Sequence, residues 1–326
     1  MSDEARTELL LALRDDDPTA RQLALIGIRD DVDADLLEPL VLAADDADPT
    51  VRRLAVGMLE EVGDARALPA VVKALSDADP GVRDAARAAI REFRGPEAVA
   101  PLVVATNDES AEVREWAVLA LRGLRDLRGL AALLRVASDP APSVRRAAVL
   151  ALAPLADARA LDALVGRLSD DDAAVRQVAV AALGQARSAR LLRPLIARLD
   201  DADWQVRAAA AAALGRAREP EAGAALTCAL EDAQWQVVKC AASAVGESNA
   251  RAAIPRLVEL LCHPMVDVRR AAIEALEALR AEGARDPLRA LLDDPDVEVR
   301  KAVERALRAL AEPAMDPATV TSKRTT

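Results

Sequence analysis

The sequence has almost no aromatic side chains: it contains three Trp, one Phe and no Tyr in 326 residues, although 52% of its residues are hydrophobic. Aromatic side chains bury the largest areas per residue, so a core without them is thin and consists of Ala, Leu and Val. This composition disfavours a large β-sandwich, a barrel or a pocket for a bulky cofactor. The length exceeds the usual domain of about 100–200 residues and predicts two domains or one extended array.

The chain also has too little positive charge to suit a nucleic-acid partner. It contains 43 Lys and Arg against 54 Asp and Glu, which gives a net charge of −11 at pH 7 and a pI near 4.9. A surface of this sign repels phosphate backbones, because nucleic-acid binding depends largely on Lys and Arg contacts to phosphate. We therefore expect no nucleic-acid partner.

Signals for membranes and disulfides are missing as well. No apolar run approaches the roughly 18–20 residues of a membrane span. The first residues, MSDEARTELL, lack the basic and apolar regions of a signal peptide. Three cysteines, an odd number, do not suggest a disulfide framework. We expect a cytoplasmic protein with reduced thiols and no contact with a membrane.

A strict internal repeat organises the chain. The pair Val-Arg recurs at intervals of 31 residues or a multiple of 31, with a break at Val237-Val238 and an early variant at Ala20-Arg21. The spacing predicts ten units without insertions, each packed on its neighbours in the same way. The pairs are Val51-Arg52, Val82-Arg83, Val113-Arg114, Val144-Arg145, Val175-Arg176, Val206-Arg207, Val268-Arg269 and Val299-Arg300.

Within each unit the apolar residues recur at helical spacing, which predicts a short first helix, a second helix and an all-α fold. One position of the second helix is alanine in nine of the ten units, which allows helix axes to approach to about 8 Å. In Asp46-Ala47-Asp48-Pro49 an N-cap Asp precedes a Pro at the first helical position. Gly63 and Gly95 are expected to end second helices in the left-handed conformation. Prolines such as Pro39 and Pro69 are expected to mark the first turn of the first helix or to bend it.

These boundaries predict one solenoid over residues 1–311 and a disordered tail over residues 312–326, which lack apolar periodicity. Charged residues replace apolar ones in the end units, as terminal repeats with a polar outer face require. They are Arg6 in the first unit and Arg289, Glu304 and Arg305 in the last.

An Asp lies six residues before the Arg of most Val-Arg pairs, as Asp46 lies before Arg52. This pattern resembles HEAT repeats. Tetratricopeptide units need Tyr, and ankyrin units carry Thr-Pro-Leu-His, neither of which occurs here. The period of 31 residues is similar to that of the subclass named after phycobilisome lyases. The resemblance implies a right-handed α-solenoid, a superhelix of ten two-helix repeats, with the second helices along its concave face.

Repeated Asp and Arg residues form an acid and base ladder that can pair within and between units. Charge-assisted pairs in a half-buried row fix the register of neighbouring repeats, so we interpret these arginines as structural and not as an anion-binding stripe. The ladder includes Asp46, Asp77, Asp139, Asp170 and Asp201 with Arg52, Arg83, Arg145, Arg176 and Arg207.

Two tryptophans depart from the repeat pattern and mark the candidate binding surface. Trp204 and Trp235 occupy a position that elsewhere holds Pro, Ala or Val. On a helix each lies beside small or polar side chains, so the pair predicts a shallow apolar trough. Two interpretations stay open: each indole covers the joint between repeats, or the pair contacts a partner. Trp116 occupies a position of Ala and Leu and is expected in the core. The candidate partner-binding residues are Trp204, Trp235, Ala208, Ala212, Lys239 and Ser243.

The sequence has none of the common catalytic or metal-binding motifs. No Gly-rich phosphate loop, His-Glu pair or nucleophile elbow occurs, so we expect no catalytic residues. Three thiols and an imidazole can bind zinc, but the cysteines have no Cys-x-x-Cys spacing, and we expect neither a metal nor a cofactor. The residues concerned are Cys228, Cys240, Cys262 and His263.

The leading hypothesis is a monomeric, non-catalytic scaffold or adaptor that binds a partner protein on its concave face, centred on units six to eight. The alternative follows from the resemblance to phycobilin lyases. In that case the chain is a lyase-like chaperone that holds a tetrapyrrole or a cofactor-bearing protein, with Trp204 and Trp235 lining the trough.

Overall fold

The computed structural model describes residue 7 and residues 10–28, 32–186, 188–217 and 219–311. Arg6 and the predicted tail, residues 312–326, lie outside this part of the chain. All regular secondary structure in the described part is helical, which confirms the predicted all-α fold. None of the described helices is both long and apolar enough to cross a membrane. The α-helices are α1 (Pro18–Gly27), α2 (Leu37–Ala43), α3 (Pro49–Val62), α4 (Leu68–Ala74), α5 (Pro80–Ala89), α6 (Val99–Ala105), α7 (Ala111–Leu124), α8 (Leu130–Val136), α9 (Pro142–Leu152), α10 (Ala158–Gly166), α11 (Ala173–Leu183), α12 (Leu192–Ile196), α13 (Trp204–Leu214), α14 (Pro220–Ala229), α15 (Trp235–Ser248), α16 (Ile254–Glu259), α17 (Val266–Ala278), α18 (Arg285–Arg289) and α19 (Val297–Ala311).

Short even-numbered helices alternate with odd-numbered helices that are mostly longer, as the repeat predicts. Most of the short helices follow a single 3-10 turn, such as 34–36 before α2 and 65–67 before α4. Pro39 is the third residue of α2, and Pro69 is the second residue of α4. Both prolines therefore lie in the first helical turn, where the missing N–H has no helical partner to lose.

Aspartates begin the long helices as the sequence predicts. The Asp48 carboxylate accepts hydrogen bonds from the backbone N–H of Thr50 at 2.9 Å and of Val51 at 3.0 Å, and Pro49 is the first residue of α3. Asp79 caps α5 in the same way. These bonds satisfy N–H groups that have no partner within the helix.

The predictions of left-handed glycines at the ends of two long helices have different outcomes. Gly63 follows α3 in the left-handed conformation with φ of +65°, as expected. The prediction for Gly95 is wrong, because its φ of −75° and ψ of 154° are extended and the residue begins the next 3-10 turn. The repeat position equivalent to Gly63 is Arg94, so Gly95 lies one residue beyond the place where a left-handed residue is needed.

The core lies between successive helix pairs. The alanine column is fully buried from Ala55 onward, and the long helices pack directly on one another, α3 on α5 and α13 on α15 for example. Small side chains at these contacts permit the close approach of helix axes. The column consists of Ala55, Ala86, Ala117, Ala148, Ala179, Ala210, Ala241 and Ala272, followed by Val303.

The chain divides into two compact units, residues 1–167 and 168–326. Each unit is a stack of the same helix pairs, with α1 to α10 in the first and α11 to α19 in the second. A single array over residues 1–311 remains a prediction.

Candidate functional site

Each complete rung of the ladder joins an arginine to an aspartate 25 residues later. Arg52 donates Nε and Nη2 to the two carboxylate oxygens of Asp77, both at 2.7 Å. Its Nη1 donates to the backbone oxygens of Asp46 at 2.8 Å and Ala47 at 3.0 Å. The Asp six residues earlier therefore contributes its carbonyl and not its carboxylate to this arginine. One guanidinium thus ties the loop of its own repeat to the loop of the next.

The same geometry recurs in both units and leaves the paired side chains largely buried, although Arg269 donates only Nη2 to Asp294. In the Arg114–Asp139 pair the side chains are 12% and 6% exposed. Paired, hydrogen-bonded charges of this kind fix the register of the elements that they join. The rungs with both partners in one unit are Arg21–Asp46, Arg52–Asp77, Arg114–Asp139, Arg176–Asp201, Arg207–Asp232 and Arg269–Asp294.

The pKa values of these aspartates are lowered. Hydrogen bonds from the Arg52 guanidinium are the main cause for the low pKa of Asp77. Burial by itself raises the pKa of Asp139, but the bonds from Arg114 and from the N–H of Ala141 outweigh burial, so the net shift is downward. Both carboxylates stay ionised at neutral pH and keep their arginines bound.

Arg145 and Asp170, which the sequence also assigns to the ladder, take part in local bonds. Arg145 donates Nη1 to the carbonyl oxygens of Asp139 at 2.9 Å and Pro140 at 3.1 Å. The Asp170 carboxylate accepts the N–H of Asp172 at 3.0 Å, and its carbonyl accepts Nη1 of Arg176 at 2.8 Å.

Arg83 does not form the carboxylate bond that its place in the ladder predicts. Its Nη1 donates to the carbonyl oxygens of Asp77 at 2.7 Å and Ala78 at 3.0 Å. Asp108, its expected partner, is exposed. No ion pair between Arg83 and Asp108 is found among the described side chains. This arginine therefore supports its own loop only.

A second break replaces both partners of one rung. Val238 is buried, 3% exposed, where the repeat has arginine, and His263 stands 25 residues later where it has aspartate. His263 Nδ1 accepts the N–H of Met265 at 3.1 Å, so the imidazole keeps the loop bond that an aspartate makes elsewhere. The two substitutions that the sequence shows separately thus belong to one lost rung.

The candidate partner-binding residues lie on two packed helices of the second unit. Trp204, Ala208 and Ala212 follow one another at four-residue intervals on α13, and Trp235, Lys239 and Ser243 do so on α15. We call these six residues the tryptophan stripe. Both indoles are half-buried at the first residue of their helices, and Ala212 and Ser243 are exposed. Each row therefore runs from an indole to a small exposed side chain.

The stripe carries almost no free charge. Lys239 is its single charged residue, and Nζ lies 3.0 Å from Oδ2 of Asp267 on α17. The equivalent positions of α7 and α17 hold Glu115 and Arg270, which take part in surface ion pairs. Apart from the two indoles, the tryptophan stripe thus consists mainly of small uncharged side chains, in a chain with 30% charged residues.

Two glutamines beside the stripe were not singled out by the sequence analysis. Gln205 and Gln236 follow Trp204 and Trp235 directly, and the repeated Trp-Gln-Val was the signal that could have identified them. Oε1 of Gln236 is buried without a hydrogen-bond donor among the described residues. A buried acceptor of this kind is costly unless a donor reaches it.

Trp116 does not lie in the core as predicted. Its side chain is half-buried, and the guanidinium carbon of Arg91 lies 4.8 Å from the ring centroid. The repeat position elsewhere holds residues such as Leu54 and Ala85. Leu54 and Ala85 are themselves half-buried, so this position lies at the edge of the core, where the indole reaches the surface and stacks with the arginine.

The cysteines and the histidine do not form a metal site with the geometry of three converging ligands in the described part of the chain. Cys228 and Cys262 are exposed and Cys240 is half-buried, all as free thiols. Burial raises the pKa of the Cys240 thiol, which keeps it protonated. Among the described residues no three His, Cys, Asp or Glu side chains converge as metal ligands.

Stacked two-helix repeats define the class of protein: an all-α solenoid. The family model of HEAT repeats matches residues 6–91, 37–122, 99–184, 167–245 and 229–308. Because these matches together span nearly the whole chain, the protein belongs to the HEAT-repeat family. No curated protein matches the sequence.

Solved structures share the fold at low identity. An engineered protein is 21% identical with a TM-score of 0.52, and the match covers 96% of this chain and all of that one. Kap95p, whose binding induces the switch loops of RanGDP to adopt the GTP-bound conformation, is 18% identical with a TM-score of 0.65 over 99% of this chain. Importin beta is 18% identical with a TM-score of 0.60 over 97% of this chain. The chain spans about half of the last two, 52% of each. These identities establish a common fold only.

Proposed function

We propose that the protein is a non-catalytic scaffold that binds a partner protein through the tryptophan stripe, on the concave face that its family resemblance implies. The observation that carries the proposal is the pair of half-buried indoles, Trp204 and Trp235, which begin two packed helices one repeat apart. Tryptophan is enriched among the residues that dominate protein–protein binding energy, because a large apolar ring combines with one hydrogen-bond donor.

The low charge of the stripe supports the same role. Ala208, Ala212 and Ser243 lose little rotamer entropy when a partner covers them. The equivalent surfaces on several other long helices carry ion pairs, such as Arg305 with Glu274 at 3.3 Å, which a partner has to desolvate. Interface cores are depleted in charged residues for this reason. A partner that covers the tryptophan stripe therefore has few charged groups to desolvate.

Two alternatives remain as outcomes of the test. Each indole can serve only as a cover for the joint between repeats, in which case it contributes to stability and not to binding. The short repeat also resembles the phycobilisome-lyase subclass, for which the expected ligand is a tetrapyrrole or a cofactor-bearing protein.

A charge placed on the stripe tests the proposal without removing a buried side chain. The tagged full chain and two variants, Ala212→Glu and Ala88→Glu, are used to capture proteins from a lysate of the natural host, with identification by mass spectrometry. Ala212 and Ala88 are exposed at the same repeat position, on α13 and α5. We expect a cytoplasmic partner that binds the wild type and Ala88→Glu and is lost with Ala212→Glu.

The indoles are then compared with Trp116, which is half-buried in the first unit. Trp204→Ala with Trp235→Ala should abolish capture, and Trp116→Ala should retain it. A partner that all variants retain contradicts the assigned surface. Loss of stability without loss of the partner assigns the indoles to the joint, and visible absorbance in the purified protein favours the tetrapyrrole alternative.

A further inference from the structure

The long helices α5 and α7 lack the close packing that joins other neighbouring long helices. Within each unit, every other described pair of successive long helices packs directly, as α3 does on α5 and α7 does on α9. The backbones of α5 and α7 do not approach in this way, although the short helices α4 and α6 of the same two repeats pack on each other. We call this contact the α5–α7 joint. It is packed on its short-helix side and wide between its long helices.

A charged side chain lies inside this joint. Arg87 on α5 stands at a repeat position where the other long helices before α19 have fully buried apolar side chains. A guanidinium is costly to bury between apolar helices, so it keeps contact with water and holds the two helices apart. The residues at this position in the other helices are Leu25, Val56, Val118, Val149, Val180, Ala211, Ala242 and Ile273.

An ion pair replaces the apolar contact across the α5–α7 joint. Nε of Arg87 donates to Oε1 of Glu112, the second residue of α7, at 3.1 Å, and Nη2 donates to the same oxygen. The Arg87 and Glu112 side chains are 33% and 39% exposed. Pairs with this exposure contribute little to stability and are screened by salt. The long helices of this joint are therefore held by a weak, solvent-accessible contact.

Trp116 adds bulk to the α7 side of the joint. It lies one helical turn after Glu112, at a position that Ala147 occupies on α9, where the packing is close. Solvent enters beside the indole, in a cleft of about 460 Å³. The cleft is lined by Arg87, Glu112, Glu115, Trp116 and Ser143.

The ladder does not cross this joint either. Arg83 donates to two carbonyl oxygens of its own loop, and Asp108, its expected partner, is exposed. The other lost rung, at Val238 and His263, lies between α15 and α17, which still pack closely. Loss of a rung therefore does not by itself separate two long helices. At the α5–α7 joint the rung and the apolar contact are lost together.

We propose that the α5–α7 joint is a hinge within the first unit. It opens and closes between the long helices, while the packed short helices α4 and α6 serve as the pivot. Closing brings α7 toward α5, so that the Asp108 carboxylate reaches the Arg83 guanidinium as in the other rungs. Hinges absorb motion at a few positions while the elements on either side stay rigid. The proposal does not depend on the tryptophan stripe, which lies in the second unit.

Double electron–electron resonance between spin labels on the full chain measures the motion. Labels at Gly57→Cys and Leu119→Cys span the α5–α7 joint and its neighbour, whereas labels at Ala181→Cys and Ser243→Cys span two packed joints at the same repeat position. We expect a distance distribution at least about twice as wide for the first pair. The native thiols are first removed as Cys228→Ala, Cys240→Ala and Cys262→Ala.

Salt provides a test that needs no substitution in the joint. About 1 M NaCl should widen the distribution of the first label pair further, because it screens the ion pair between Arg87 and Glu112. The second label pair spans joints with apolar side chains in the same place, so its distribution should not change.

A closing variant tests the cause of the motion. Arg87→Val with Trp116→Ala gives the joint the side chains that Val118 and Ala147 supply to the packed joint of α7 and α9. It should narrow the first distribution to the width of the second. The control Arg53→Val, which replaces an exposed arginine on α3, should leave the width unchanged.

The lost rung gives an independent measurement. Asp108→Asn should lower the melting temperature of the closing variant and leave that of the wild type unchanged, because Asp108 reaches Arg83 only in the closed joint. The proposal is overturned by equal widths for the two label pairs in the wild type, by salt effects that are the same for both, or by an unchanged width in the folded closing variant.

Discussion

The two compact units share their ladder but differ in the residues that follow some of their long helices. Rungs such as Arg52–Asp77 in the first unit and Arg176–Asp201 in the second have the same two-bond geometry. Long helices of 10 or 11 residues occur in both units, as α5 and α9 in the first and α11 and α13 in the second. The positions just after α11 and α13 hold Gly184 and Gly215, where the first unit has charged residues such as Arg91.

The difference shows which positions fix the fold and which are free to carry a site. The ladder and the alanine column hold successive repeats in register in both units. Helix ends and outward rows contribute less to that register, so they can change without disturbing the stack. The tryptophan stripe, the candidate binding surface, lies at such positions in the second unit.

Glycine permits an unusually close helix contact in the second unit. A Cβ added at Gly184 would lie 2.6 Å from Cβ of Ala213, and one added at Gly215 would lie 2.8 Å from Cα of Ala244. By contrast, a Cβ added at Gly57 in α3 has no neighbour within 4 Å. Gly184 and Gly215 therefore permit a close helix contact, whereas Gly57 faces open space.

The largest expected effect comes from acid, because it acts on every rung in both units. The pKa values of Asp77, Asp139 and Asp201 are lowered in the folded protein. Their contribution is therefore present above the unfolded value of about 4 and is lost as the pH falls through the lower folded values. Urea unfolding should give similar free energies at about pH 7 and pH 5 and a marked decrease below about pH 4. A free energy independent of pH down to about pH 3 would contradict this role.

Removal of one rung should be the next largest effect. Asp139→Ala leaves the largely buried Arg114 without its carboxylate and should lower the free energy of unfolding by about 3 kcal/mol. Asp201→Ala should have a similar effect in the second unit, where Arg176 loses its partner. The control is Asp45→Ala, which removes an exposed pair with Lys73 and should cost about 0.5 kcal/mol or less. Equal losses in all three variants would show that the rungs do not set stability.

Alanine at glycine positions should have opposite signs in the two units. Gly215→Ala forces Cβ against the backbone of Ala244 and should lower the free energy of unfolding by about 1–3 kcal/mol. Gly57→Ala meets open space within α3 and should raise it by about 0.5–1 kcal/mol, because alanine is the better helix former. Urea denaturation of both variants checks the signs, and a stabilising Gly215→Ala would argue against the close contact.

The smallest effect is expected from rebuilding the lost rung. Val238→Arg alone places a charge at a buried position and should destabilise the protein. Together with His263→Asp it should gain a favourable coupling energy of about 1–2 kcal/mol in a double-mutant cycle. A coupling energy of zero would mean that positions 25 residues apart do not meet at this joint.

The sequence predicts much of the fold because the same pattern of apolar, capping and ion-paired residues recurs in most repeats. Asp48 and Pro49 mark the start of α3 to the residue, and the Val-Arg spacing predicts every long helix that follows. Side chains that depart from the repeat were harder to place. Trp116 shares its position with apolar residues such as Leu54 and Ala85, which suggest a core position in the sequence but are half-buried in the structure.

Gly95 shows the limit of comparing equivalent repeat positions. It lies one residue beyond the position of Gly63, and this shift changes its backbone conformation.

The most direct test of the central claim is hydrogen–deuterium exchange of the full chain with and without its captured partner. The account predicts added protection at the beginning of α13 and α15, around Trp204 and Trp235, and unchanged exchange in α3 and α5. Protection confined to the first unit, or absent from α13 and α15, would contradict the assignment of the tryptophan stripe as the binding surface.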